Sequence, residues 1–135
     1  IDYTINDSKF KFINNSYEHV ILEKNSKFKN LYLQSNKSNG FFHKFIKNIV
    51  SSNSDYSNLV FSSGLKFNKL DIETDLIGEN ANCNLLSGLF LNKNEHKEIK
   101  TCITYLFPKC KSPGSSKPWA RAVRLRIIVS AHACF

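Results

Sequence analysis

The densest group of side chains able to do acid–base chemistry is Asp71, Glu73 and Asp75, three carboxylates at every second position. On a strand this spacing places all three on one face with neighbours roughly 6.6 Å apart, a separation within the range that glycosidase carboxylate pairs use. A carbohydrate-active β-helix enzyme is therefore one reading of the chain, and it requires a cleft lined by these acids. The competing reading is a solvated strand face, which needs no special geometry.

Thiols and imidazoles are scattered. Cys83, Cys102, Cys110 and Cys134 form no CxxC pair and no dense disulfide framework, so reduced thiols in a cytoplasmic compartment are expected. Cys110 is the candidate for handling iron or sulfur, because the flanking Lys109 and Lys111 favour its thiolate electrostatically. Cys83 stands among Ala81, Leu85 and Leu86 and reads as a small buried hydrophobe. His19, His43, His96 and His132 are far apart, with neither HExxH nor ligand-spaced Cys/His clusters. A metal site would have to be assembled across strands, for instance from His96 with Cys102. GxGxxG, P-loop and GxSxG sequences do not occur, so no catalytic residue and no resident cofactor is assigned.

The elements that must position these residues read as strands. Apolar runs at 10–13, 19–22, 28–33, 41–50, 59–61, 65–77, 85–91 and 99–107 are rich in Phe, Ile, Leu, Val, Tyr and Thr, which suit pleated surfaces. Asn, Ser and Gly punctuate them, as at Asn25-Ser26, Ser51 to Asp55, Gly78 to Asn80 and Asn92 to Asn94. Period two is plain in Leu70, Ile72, Thr74 and Leu76 against the three acids, and again in Ile99, Thr101, Ile103, Tyr105 and Phe107. Residues 40–50 are ambiguous. Phe41, Phe42, Phe45, Ile46, Ile49 and Val50 recur at helical spacing, while aromatic and β-branched content favours a strand. Runs begin roughly ten to fifteen residues apart, which suits a solenoid, a sandwich or a meandering sheet. The lack of alternating helical segments argues against α/β.

At 135 residues the chain is long enough for one domain, and its 41% apolar fraction is too high for a disordered one. Up to Gly114 the positive residues are single lysines scattered among acids rather than a stripe, which argues against a nucleic-acid partner. No stretch approaches 18 apolar residues and no signal peptide is visible, so a membrane partner is not expected.

Composition changes abruptly near Gly114. All sixteen asparagines precede it, whereas every arginine and all alanines except Ala81 follow it. Residues 115–135 carry Lys117, Arg121, Arg124 and Arg126 with no acid, and so supply half the net charge. Lys and Arg are interchangeable on most exposed surfaces, so fold physics does not explain the swap. The tail reads as non-native to the preceding fold, as a shifted frame or a fused segment would be. Val123, Leu125, Ile127 and Val129 alternate with Arg124, Arg126 and Ile128, so an improvised edge strand on the body's end is a further expectation.

From Asn58 to Ser112 the order of features resembles the core domain of the SufB/SufD family of iron–sulfur cluster assembly proteins. The series runs through a strand ending at Gly64, a basic-acidic strand from Asn68, Leu76-x-Gly78-Glu79-x-Ala81, Leu86-x-Gly88-Leu89, a polar turn and a Thr-containing strand. It closes on Pro108-x-Cys110-x-Ser112. The resemblance is closer to SufD than to SufB and implies an all-β right-handed parallel β-helix. Residues 1–114 would form a partial core and 115–135 the distinct tail, the chain lacking the further coils and helical region of that family. It also implies a non-catalytic scaffold that works with a SufB-like subunit and a SufC-like ATPase, any iron–sulfur cluster belonging to that assembly. Where SufD-like members commonly place a histidine, this chain has Tyr105, which cannot supply an imidazole. A free-standing β-solenoid or sandwich that binds another protein is the alternative of a different class.

Overall fold

The structure is a computed structural model that describes residues 11–34, 38–106 and 123–132. Eight strands account for nearly all of them: β1 Phe12–Leu22, β2 Lys27–Gln34, β3 Ser38–Val50, β4 Asp55–Ser62, β5 Leu65–Leu76, β6 Asn82–Leu89, β7 His96–Tyr105 and β8 Val123–His132. From β1 to β7 consecutive strands alternate between two sheets, β1-β3-β5-β7-β8 and β2-β4-β6. Each successive pair from β1 to β6 makes one coil, and a residue's neighbour in the next coil lies 26 to 29 positions further on. The result is a right-handed parallel β-solenoid of about three turns.

Side-chain parity explains the two-layer build. On β5, Leu70, Ile72, Thr74 and Leu76 are buried between the sheets while Lys69, Asp71, Glu73 and Asp75 alternate outward. Stacking repeats the choice, so Leu22, Val50, Leu76 and Tyr105 line up in successive coils and join Tyr56, Cys83 and Ile103 in one apolar cluster. Ile46, Val60, Leu70, Ile72 and Ile99 make a second cluster. Fully burying such side chains contributes about 1.5–3 kcal/mol each.

The turns are built on asparagine. Asn25, Asn53 and Asn80 all have positive φ, at 61°, 55° and 56°, a conformation that asparagine tolerates better than other residues with a Cβ. They occupy the same corner in three successive coils. Buried Ser54 ties the corner together by donating from Oγ to the Glu23 carbonyl (2.6 Å) and accepting from the Ser26 N–H (3.0 Å).

Three local expectations are sharpened. Residues 40–50 are strand: Phe42, Ile46 and Val50 face inward and Phe41, Phe45 and Ile49 outward, so apolar residues on both faces of one strand imitate helical spacing. Residues 12–13 and the run 19–22 fall on a single strand, because β1 pairs with β3 from Phe12 to Leu22 without a break at Asn14-Asn15. In the tail, β8 is an edge strand that pairs antiparallel with β7, from His132 opposite His96 to Val123 opposite Tyr105.

Candidate functional site

The outer face of the longer sheet gathers the titratable residues that the sequence singles out. Parallel register sets Asn15, His43, Lys69 and Glu98 in one row and Tyr17, Phe45, Asp71 and Lys100 in the next. His19, Lys47, Glu73 and Cys102 form the third row. Diagonal neighbours then meet. His43 Nε2 donates to Asp71 Oδ2 at 3.0 Å, and Lys69 Nζ lies 3.8 Å from the same oxygen and 3.6 Å from Glu98 Oε1. Lys47 Nζ bridges Asp75 at 2.8 Å and Glu73 at 3.4 Å.

These partners decide what the three acids can do. Partial burial pulls the Lys47 ammonium down, but the hydrogen bond and charge of Asp75, with those of Glu73, outweigh it and hold its pKa above the ordinary lysine value. A glycosidase pair needs one carboxyl kept protonated beside a free carboxylate. Here each acid is engaged by a cation, and a depression on this face is lined by Ile13, Asn15, Phe41, Phe42, His43 and Phe67, without any of the acids. The arrangement is a ladder of compensated charges, suited to fixing register and to polar recognition. Among the described residues it does not provide the acid-lined cleft that the carbohydrate reading requires.

Beside the ladder, Phe41, Phe67 and His96 stack ring on ring, with centroids 5.7 Å and 5.1 Å apart. Their faces are used on one another, which stabilises stacking between coils.

The thiols separate by face. Cys83 points into the core, where burial pushes its thiol up to about 12 against a smaller opposing hydrogen bond with Thr74. It is therefore protonated at neutral pH and is no nucleophile. Cys102 lies on the outer face of β7 yet is only 6% exposed, opposite Glu73. His96 and Cys102 cannot share a metal: they lie on the same strand, and their six-residue separation spans roughly 20 Å. Among the described residues no group of three or more His, Cys, Asp or Glu side chains is placed to hold a metal ion. Cys110 and Cys134 lie outside the described residues. Tyr105 is buried in the apolar cluster of the core.

Sequence reading missed two ion pairs inside the solenoid. Glu18 and Lys44 meet at 2.6 Å, with the Lys44 side chain 8% exposed. Fully buried Lys97 reaches Glu95 Oε2 at 2.5 Å and lies 3.5 Å from the Leu65 carbonyl. Burial raises the Glu95 carboxyl, but hydrogen bonds from Lys97 and Asn92 more than offset this and hold it below the usual glutamate value. Parity carried the signal: Lys44 is in phase with Phe42 and Ile46, and Lys97 with Ile99 and Ile103.

A family model described as SUF system FeS cluster assembly, SufBD core domain, matches residues 1–121. Searches of curated proteins and of solved structures give no match.

Proposed function

The chain belongs to the SufBD core-domain family of the SUF iron–sulfur cluster assembly system, and from that membership we propose that it is a non-catalytic scaffold component of an iron–sulfur cluster assembly complex. The observation that carries this reading is the family match across residues 1–121. The fold supports it: stacked parallel coils bury their apolar residues and turn rows of mutually compensated charges outward, a build for presenting surface rather than for turning over a substrate.

The finer reading is a SufD-like subunit that joins a SufB-like subunit and a SufC-like ATPase in the cytoplasm. It is supported by the series from Leu76-x-Gly78-Glu79 to Pro108-x-Cys110-x-Ser112. Iron and sulfide are cargo of such an assembly. Cys110, between two lysines, is the residue of this chain proposed to meet them. The same proposal sets a core at 1–114 and a distinct tail at 115–135, on the change of composition at Gly114.

Co-expression with SufB-like and SufC-like subunits, followed by affinity capture and gel filtration, tests the reading. A stoichiometric complex is expected. A folded chain that associates with neither subunit overturns it. For the tail, reading the genomic frame across the codons for residues 110–120 decides: further family sequence in another frame supports a foreign tail, and an uninterrupted native gene rules it out.

A further inference from the structure

The outer face of the three-stranded sheet differs in kind from that of the longer one. In register across β2, β4 and β6 stand Leu31, Leu59 and Leu86, and beside them Leu33 and Phe61. All five are 43–61% exposed. Together they present on the order of 400 Å² of apolar surface, within the ~300–600 Å² of the largest apolar patch on a typical single chain, which is often functional. The third position of the second row is Gly88, and a Cβ there would lie 3.3 Å from the Phe61 ring. Its lack of a side chain leaves that space to the Phe61 ring.

We propose that this face docks an acidic amphipathic helix of a partner protein. The proposal stands on the face itself and not on the scaffold reading. Two dimensions fit a helix. From β2 to β6 the patch spans two inter-strand steps of roughly 4.8 Å, close to the ~10 Å width of one helix. Along the strands its two rows are about 6.6 Å apart, close to the ~6 Å rise between helix positions i and i+4.

Charge selects the sign of the partner. The charged residues on this face are Lys27, Lys29 and Asp55; Lys27 pairs with Asp55 at 3.5 Å, which leaves exposed Lys29 one step along β2 from Leu31. A second copy is the poorer occupant. It would bring together two chains of net charge +8, whose like charges repel.

The test uses the full chain and three fluorescein-labelled 18-residue helical peptides. One carries a leucine face flanked by glutamates, the second the same leucines flanked by lysines, and the third serines in place of the leucines. Fluorescence anisotropy is expected to give saturable binding of the leucine–glutamate peptide, at least tenfold tighter than either control and weakened by added salt. Leu59→Ser with Leu86→Ser should weaken it at least tenfold with an unchanged circular dichroism spectrum. Lys29→Glu, which changes charge and leaves the five apolar residues in place, should narrow the preference for the acidic peptide. Equal binding of acidic and basic peptides, no saturable binding, or binding unchanged by the leucine substitutions overturns the proposal. Sedimentation showing a dimer that the leucine substitutions dissociate overturns it in favour of a second copy.

Discussion

Asn80 Nδ2 donates to Asn53 Oδ1 at 3.0 Å, and Asn53 in turn donates to Asn25 Oδ1 at 3.4 Å, so one corner of the solenoid is an asparagine ladder running through three coils. Both needs of the corner are met by one side chain: positive φ and a bond to the next coil. Asn53→Ala removes the bonds and leaves a Cβ residue in the left-handed region, at an expected cost of about 1–2 kcal/mol. Asn53→Gly should restore the backbone share. Urea denaturation checks this through a lower midpoint at unchanged slope, and an alanine variant as stable as the parent would refute the ladder's role.

Gly78 sits where the backbones of two coils approach closely. A Cβ there would lie 2.1 Å from the Ser52 nitrogen and 2.5 Å from its Cα, and neither atom can rotate away. Gly78→Ala is therefore expected to destabilise by about 2–3 kcal/mol, while Gly88→Ala, which meets only a movable phenylalanine ring, should cost less than about 1 kcal/mol. Parallel denaturation curves distinguish them; equal losses would show that the two approaches are equivalent.

The interior pair predicts an acid-sensitive fold. Glu95 has a carboxyl held below its ordinary value of 4.5, so its contribution is present above that pH and is lost as pH falls through the lower folded-state value. Glu95→Gln leaves the fully buried Lys97 ammonium without its counter-charge and should cost about 3–5 kcal/mol at pH 7. Glu95→Gln combined with Lys97→Met should recover most of that loss and remove this component of the acid transition. Melting temperature followed from pH 7 to pH 3 reads both effects. A double variant no more stable than the single one contradicts the argument.

Thiol labelling tests the interior face. With its thiol pushed to about 12 and its side chain buried, Cys83 should resist iodoacetamide at pH 8 in the native state and react fully in denaturant. Peptide mapping by mass spectrometry reports the site. Native-state modification of Cys83 at the denatured rate would mean that the core is open there.

Legibility followed the range of the interaction. Alternation fixed the inward and outward faces of β5, because Leu70, Ile72, Thr74 and Leu76 answer to burial alone. Turn positions at Asn25, Asn53 and Asn80 were visible for a similar reason, since positive φ is a property of the residue and its immediate neighbours. Residues 40–50 were ambiguous because the strand carries apolar residues on both faces, and the parallel partners β1 and β5 decide between strand and helix.

By itself, then, the sequence determined an all-β chain punctuated by asparagine turns, a compositional break at Gly114, and a resemblance to the family to which it belongs. Tertiary structure alone decided which distant residues meet. His43 reaches Asp71, and Lys47 bridges Glu73 and Asp75, because those contacts depend on the register between coils. Register is a collective property: a slip of one residue would turn every inward side chain to the outer face, and only burial summed over all the stacked strands is large enough to forbid it.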